Sequence, residues 1–287
     1  MISENAIKDR LKNVAREQGT TVTDLLKRLY LERFLARLAK SSDADKFIFK
    51  GGNLLSYFME IGRETKDLDF LVRKLTAEVA PLKAAFDSIA AVKLDDGFEL
   101  SLTTIDPLEQ NHMNYPGFRA TIAIKFAGGS LRDNLQIDLG IGDEVTPERQ
   151  ALEMLAHKDT PFFEENISLL VYPAETIFAE KLETVIAKGG INSRMKDFHD
   201  LILMGREKDL LDVEKLKSDI QITFKHRGTD LSLPLQFIDA DFGLLDTQWS
   251  RHLRGLGPLA ERFKMPTNIR DVVLEINNYL RQSNVLT

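Results

Sequence analysis

The chain has 287 residues, 43% of them hydrophobic and 29% charged, with a formal net charge of −6 and no cysteine. That length and mix buries a core in one large or two modest domains and excludes a disordered or low-complexity protein. Disulfides and thiolate metal sites are excluded outright, and no run approaches the roughly 18 apolar residues of a membrane span. His112, His157, His199, His226 and His252 show no ligand spacing, which argues against zinc chemistry. The opening Met1-Ile2-Ser3-Glu4 lacks the basic and apolar regions of a signal peptide, so a cytoplasmic protein is expected.

In chain order, a helix is predicted near Ile7 to Arg16. Thr21 and Asp24 start a second, whose stripe is Leu25, Leu26, Leu29, Tyr30, Phe34, Leu35 and Leu38. Lys46-Phe47-Ile48-Phe49 is short, apolar and aromatic and reads as a strand. It delivers the chain to Lys50-Gly51-Gly52-Asn53, after which Leu54, Leu55, Phe58, Met59 and Ile61 recur at helical spacing. The glycine pair therefore opens a helix, where unpaired N–H groups and the positive end of the helix dipole attract phosphate. Fourteen residues separate Gly52 from Asp67-Leu68-Asp69-Phe70-Leu71-Val72. Alternation there puts Asp67 and Asp69 on one strand face and Leu68, Phe70 and Val72 on the other. Two carboxylates on one face repel, and a hard divalent cation shared with a triphosphate offsets that repulsion. Either element alone is as well explained by a turn or a solvated strand end; the two in this order and spacing point to nucleotidyl transfer.

A third carboxylate follows. Phe118 to Phe126 reads as a strand, and Asn134 to Ile141 alternates around Asp138. If these two pair antiparallel beside the Asp67 strand, Asp138 faces the same site, as a further metal ligand or as the base for an attacking hydroxyl. Asp143 is the weaker candidate, because Gly140 and Gly142 signal a turn. From Pro173 onward the pattern is almost wholly helical, interrupted by an extended piece around Leu231 to Leu235 and ending with a helix over Ile269 to Leu280. Ile177, Phe178, Leu182, Val185 and Ile186 define one helix face, closed by Gly189-Gly190. Asn192 or Ser193 caps the next, with Met195, Phe198, Leu201 and Ile202 buried and Lys196 and Asp200 as an i, i+4 pair on the opposite side. By this reading Lys181 lies beside an apolar stripe rather than in the core, so Lys181→Ala leaves folding intact. The acidic total disfavours nonspecific RNA binding, and of two cation-bearing stretches, Lys181 to Lys208 and Arg251 to Arg270, only the second is clearly basic.

Taken together, Lys50-Gly51-Gly52-Asn53, Arg63-x-x-x-Asp67-x-Asp69, Glu180-Lys181 and Arg194-Met195-Lys196-Asp197-Phe198-His199-Asp200 resemble the ordered motifs of the AbiEii/MenT-type nucleotidyltransferase toxins, of the DNA polymerase β-like superfamily. Asn53 departs from the Ser or Thr common at its position, although an amide still donates to phosphate oxygen. The resemblance implies an α+β, bi-lobed fold: a nucleotidyltransferase core with a mixed sheet over residues 1–165, and a mainly helical domain over 166–287 completing an active-site cleft. It further implies that Gly51, Gly52 and Asn53 contact phosphate with Lys50, Arg63, Lys181, Arg194 and Lys196, and that Asp67 and Asp69 hold Mg²⁺ or Mn²⁺, with Asp138 as third carboxylate. Lys181 and Asp197 complete the machinery, and Asp200 is structural. The implied reaction passes a nucleotide from an NTP to an acceptor hydroxyl, the tRNA 3′ end, by the toxin of a toxin–antitoxin pair whose partner is an antitoxin protein. The alternatives are a small-molecule or protein acceptor, or a nucleotide-binding regulatory module without turnover.

Overall fold

The computed structural model describes residues 2–108 and 117–285, so His112 lies outside the described residues. The chain divides into two compact units. The first comprises Met1–Tyr57, Thr65–Asp143 and Pro147–Tyr172, and the second Phe58–Glu64, Glu144–Thr146 and Pro173–Thr287. The main break falls at Tyr172/Pro173, and Asn166–Val171 is a strand hydrogen-bonded inside the sheet of the first unit.

In that unit two helices, α1 (Glu4–Gln18) and α2 (Val22–Lys40), precede β1 (Phe47–Lys50), α3 (Gly51–Phe58), β2 (Leu68–Val72) and α4 (Val79–Ala91). The strands β3 (Phe98–Leu108), β4 (Gly117–Phe126), β5 (Arg132–Ile141), β6 (Glu148–Glu153) and β9 (Asn166–Val171) complete a seven-stranded mixed sheet of order β3-β4-β5-β2-β1-β9-β6. The two-residue strands β7 (Ala156–His157) and β8 (Thr160–Pro161) pair separately. Ser3 and Thr21 cap α1 and α2 through their hydroxyls, and Gly19 ends α1 at a left-handed φ of 67°.

One sheet face is closed by an aromatic cluster, with Phe49 and Phe70 centroids 5.3 Å apart, Phe47 and Phe86 5.6 Å, and Phe34 and Phe86 5.9 Å. Each such ring removed from water contributes about 1.5–3 kcal/mol, which fixes the register that turns Asp69 to the opposite face. α2 is buried more completely than its apolar stripe announces: Glu32, Arg33 and Arg37 are buried too. They find partners inside, Arg37 in both oxygens of Asp96 (2.8 and 3.0 Å), Arg33 in Glu164 (2.7 Å) and Glu32 in the Leu155 N–H (2.9 Å), while the Nε of both arginines has none among the described residues.

The second unit is built from α5 (Ala174–Lys188), α6 (Met195–Arg206), α7 (Val213–Arg227), α8 (Asp239–Leu256), α9 (Pro258–Arg262) and α10 (Ile269–Gln282). Two local readings need correction. α3 ends at Phe58 rather than Ile61; Gly62, at φ 59°, carries the chain past the Phe263 ring, where a Cβ would come within 2.5 Å. The residue before α6 is Arg194, and the Asn192 side chain instead accepts from the Arg194 N–H at 2.8 Å. The piece around Leu231 to Leu235 does interrupt the helices, and the Asn277 amide holds it by taking both the N–H (2.7 Å) and the carbonyl (3.0 Å) of Leu235.

Candidate active site

β1 runs into α3 without an intervening residue, so the strand aims the chain and Gly51 turns it. Gly51 has φ 78°, and a Cβ there would stand 2.2 Å from Oδ2 of Asp69. The glycine is needed twice over, for its backbone conformation and for the carboxylate beside it. Asn53, in the first turn, is buried, and its amide donates to Thr65 Oγ1 at 3.3 Å.

Pairing across the sheet aligns the carboxylates. β2 and β5 are parallel, with Asp69 opposite Asp138, and β1 and β2 are antiparallel, with Lys50 opposite Asp69. β4 and β5 are antiparallel, with Arg119 opposite Asp138, and β3 places Asp106 opposite Arg119. A row Asp106–Arg119–Asp138–Asp69–Lys50 therefore crosses five strands on one face, since directly paired residues project to the same side. Asp67 is exposed just before β2, and Asp69 is half-buried.

Arg119 was not singled out by sequence reasoning. Its Nε donates to Asp138 Oδ1 at 2.7 Å and its Nη2 to Oδ2 at 2.8 Å, a fork that engages both oxygens. The guanidinium is held above the ordinary arginine range, first by these hydrogen bonds and then, against burial, by the charges of Asp138, Asp67 and Asp69. Beyond β5, Asp143 accepts from Lys50 Nζ at 2.9 Å and from the Tyr172 hydroxyl at 3.4 Å, which anchors Lys50 at the other end of the row. The alternating pattern of β4 marked Arg119 as facing away from the core, but only the register shows what it faces.

The other predicted residues gather in the second unit as one ion network. Lys181, 9% exposed, places Nζ 2.7 Å from Asp200 and 3.1 Å from Asp197. Arg63 forks onto Asp200 (2.7 and 2.6 Å), and Arg194 Nε reaches Asp197 at 2.7 Å. Asp197 and Asp200 are thus buried, not part of a solvated helix face, and Lys196 alone of the helical pair is exposed. Burial pushes Asp200 up, and Lys181 and Arg63 more than reverse it, so its carboxyl stays below the usual range. Burial likewise pulls Lys181 down, and Asp200 and Asp197 leave it above the ordinary lysine value. Glu180, its neighbour in sequence, pairs instead with Arg227 at 3.0 Å.

Beside this network His252 Nε2 lies 3.1 Å from His199 Nδ1, and His199 Nε2 lies 2.7 Å from the Ile61 carbonyl. With both rings neutral, each Nε2–H donates, His199 to the Ile61 carbonyl and His252 to His199 Nδ1, and burial lowers His199 toward that neutral form. Burial, with His199 and Arg63 adding, lowers His252 from the ordinary 6.5 to about 4. The unfolded chain therefore takes up a proton that the folded one refuses, and stability is expected to fall as pH drops from 6.5 to about 4, with no further change from this group below that. Trp249, the single tryptophan, stacks on His252 with centroids 5.2 Å apart. Its fluorescence in the folded protein is expected to be quenched with a midpoint near 4. A midpoint at 6.5 would show an exposed, independent imidazole.

A strand–glycine–helix entry, Asp69 packed against the glycine and Asp138 opposite it on the adjoining parallel strand come together in the first unit. The family profile described as "Nucleotidyl transferase AbiEii toxin, Type IV TA system" matches residues 33–272, and the chain belongs to this family. It is accordingly a nucleotidyltransferase of the AbiEii toxin family, for which an NTP substrate and an antitoxin partner are implied. Among solved structures it is similar to MenT4, the nucleotidyltransferase toxin Rv2826c from Mycobacterium tuberculosis H37Rv, with TM-score 0.54, 14% identity, and 100% of this chain and 98% of that chain covered. JHP933 from Helicobacter pylori matches with TM-score 0.47 and 13% identity over 92% of each chain. A putative nucleotidyltransferase from H. pylori gives the same score and identity over 92% of this chain and 95% of that chain. At these identities the likeness is one of fold. No curated protein sequence matches the chain. Among the described residues no helix is long and apolar enough to cross a membrane.

Proposed function

We propose that this chain is a Mg²⁺-dependent toxin that transfers a nucleotide from an NTP to a hydroxyl at the tRNA 3′ end. The observation that carries the nucleotidyl-transfer half of this reading is the alignment of Asp69 with Asp138 across paired strands, with Gly51 packed against the Asp69 carboxylate. The tRNA acceptor rests on the family resemblance.

The donor set fits a hard divalent ion: Asp67 and Asp69 supply carboxylate oxygens at alternate positions, and Mg²⁺ is commonly held by one or two carboxylates together with substrate phosphates. Bound there, Mg²⁺ supplies neutralisation of triphosphate charge as it spreads over the phosphate oxygens. Gly51 lets phosphate approach the first turn of α3, and Asn53, steadied by Thr65, offers an amide donor in the same turn. The acceptor oxygen forms a bond to the α-phosphorus as the bond from that phosphorus to the bridging oxygen breaks, and pyrophosphate leaves. Asp138 is assigned the hydroxyl proton, and both its oxygens also accept from the Arg119 guanidinium. Lys181, whose charge is fixed by two buried carboxylates, and the exposed Arg194 and Lys196 are the cations assigned to triphosphate charge.

Overexpression in a bacterial host lacking the antitoxin is expected to arrest growth, and Asp69→Ala is expected to relieve the arrest at equal protein level. Arrest that persists with Asp69→Ala would favour inhibition by contact, without turnover.

A further inference from the structure

The charged row contains one cation whose position the reaction does not account for. Arg119 shares its face with three carboxylates, and its fork covers both oxygens of one of them, Asp138. The pair is half-open to solvent, with side-chain exposures of 39% for Arg119 and 28% for Asp138, so nothing in the core depends on it. Lys50, the other cation of the row, is anchored by Asp143 and Tyr172. Among the described residues no three acidic or histidine side chains converge where a metal ion could be held, although Asp69, Asp106 and Asp138 stand in the row and Asp67 at its approach. Asp138 itself is turned onto the guanidinium.

We infer that Arg119 is a positioning residue that competes with the divalent metal for Asp138, so that metal first binds through Asp67 and Asp69 and Asp138 joins only when Arg119 leaves it. The inference rests on the reading of these carboxylates as the metal site. The guanidinium fork approaches both oxygens of Asp138 along the in-plane directions that a chelating divalent ion also uses, so chelation of a metal by Asp138 needs the fork broken. Arg119 also places a positive charge beside an incoming cation, which weakens metal binding to the row as a whole. Arg119 thereby keeps the metal site weak until triphosphate oxygens supply the missing ligands, coupling metal affinity to nucleotide binding.

The test is Mn²⁺ binding to the full-length protein without nucleotide, followed by the free-Mn²⁺ electron paramagnetic resonance signal. Arg119→Gln is expected to bind Mn²⁺ about tenfold more tightly than the parent, the scale of removing one nearby charge. Adding Asp138→Asn to Arg119→Gln is expected to cancel most of that gain. Arg119→Lys, which keeps the charge but cannot fork onto both oxygens, is expected to fall between the parent and Arg119→Gln. An Arg119→Gln affinity equal to or weaker than the parent's, with parental binding still abolished by Asp69→Ala, would overturn the competition while leaving the metal site standing. Binding absent from both the parent and Arg119→Gln, or binding that survives Asp69→Ala, would overturn the metal-site reading and this inference with it.

Discussion

Gly51→Ala is expected to reduce nucleotidyl transfer at least 100-fold while the protein still folds. The added methyl would lie 2.2 Å from Oδ2 and 2.7 Å from Cγ of Asp69, so the carboxylate must swing out of the row. The side chain also has to be carried at φ 78°, a conformation that costs a non-glycine residue about 1–3 kcal/mol. Stability is therefore expected to fall by that modest amount, whereas the metal carboxylate and the phosphate approach fail together, a loss expressed in kcat/KM. Steady-state kinetics beside a melting curve separates the two effects. A variant with parental kcat/KM would show that Asp69 needs no fixed position.

Lys181→Met is expected to destabilise the protein by about 3 kcal/mol, because breaking a buried ion pair from one side leaves charge uncompensated. Asp197 and Asp200 are both buried, and Lys181 Nζ lies between them at 3.1 and 2.7 Å. Without it they repel each other, and Asp200 keeps only Arg63. Adding Asp197→Asn to Lys181→Met is expected to restore part of the loss in a urea titration. This outcome replaces the reading in which Lys181 stood outside the core. An unchanged unfolding midpoint for Lys181→Met would mean that the network closes without it.

Much of the site was legible because it depends on local chemistry. A strand feeding a glycine pair, and a carboxylate in the next strand with a second one just ahead of it, are patterns of period 2 and of turn residues, which neighbouring sequence dictates. The neighbourhood of Asp138 was legible conditionally: its strand does pair antiparallel with β4 and lie beside β2, but the exact opposition to Asp69 is a matter of register. Arg119 shows the limit. Nothing near it in sequence distinguishes it from any outward-facing arginine on a strand, and its meaning comes from Asp138, nineteen residues away. The same holds for α6, where alternating charges imitate a solvated face. The partners that make Asp197 and Asp200 buried ions, Lys181 and Arg63, come from other segments of the chain. In α2, Arg33 and Arg37 look exposed by residue type and are buried because Asp96 and Glu164 meet them.

The central claim is nucleotide transfer dependent on the Asp67/Asp69 pair. Its most direct test incubates the purified protein with each α-labelled NTP in turn, Mg²⁺ and total tRNA, resolves the products on a denaturing gel, and runs Asp69→Ala alongside. The account predicts label in tRNA with the parent protein and none with Asp69→Ala, and the labelled NTP that succeeds identifies the base. Label that enters tRNA equally with Asp69→Ala would contradict the assignment of the carboxylates, and no label in tRNA with any NTP would contradict the acceptor.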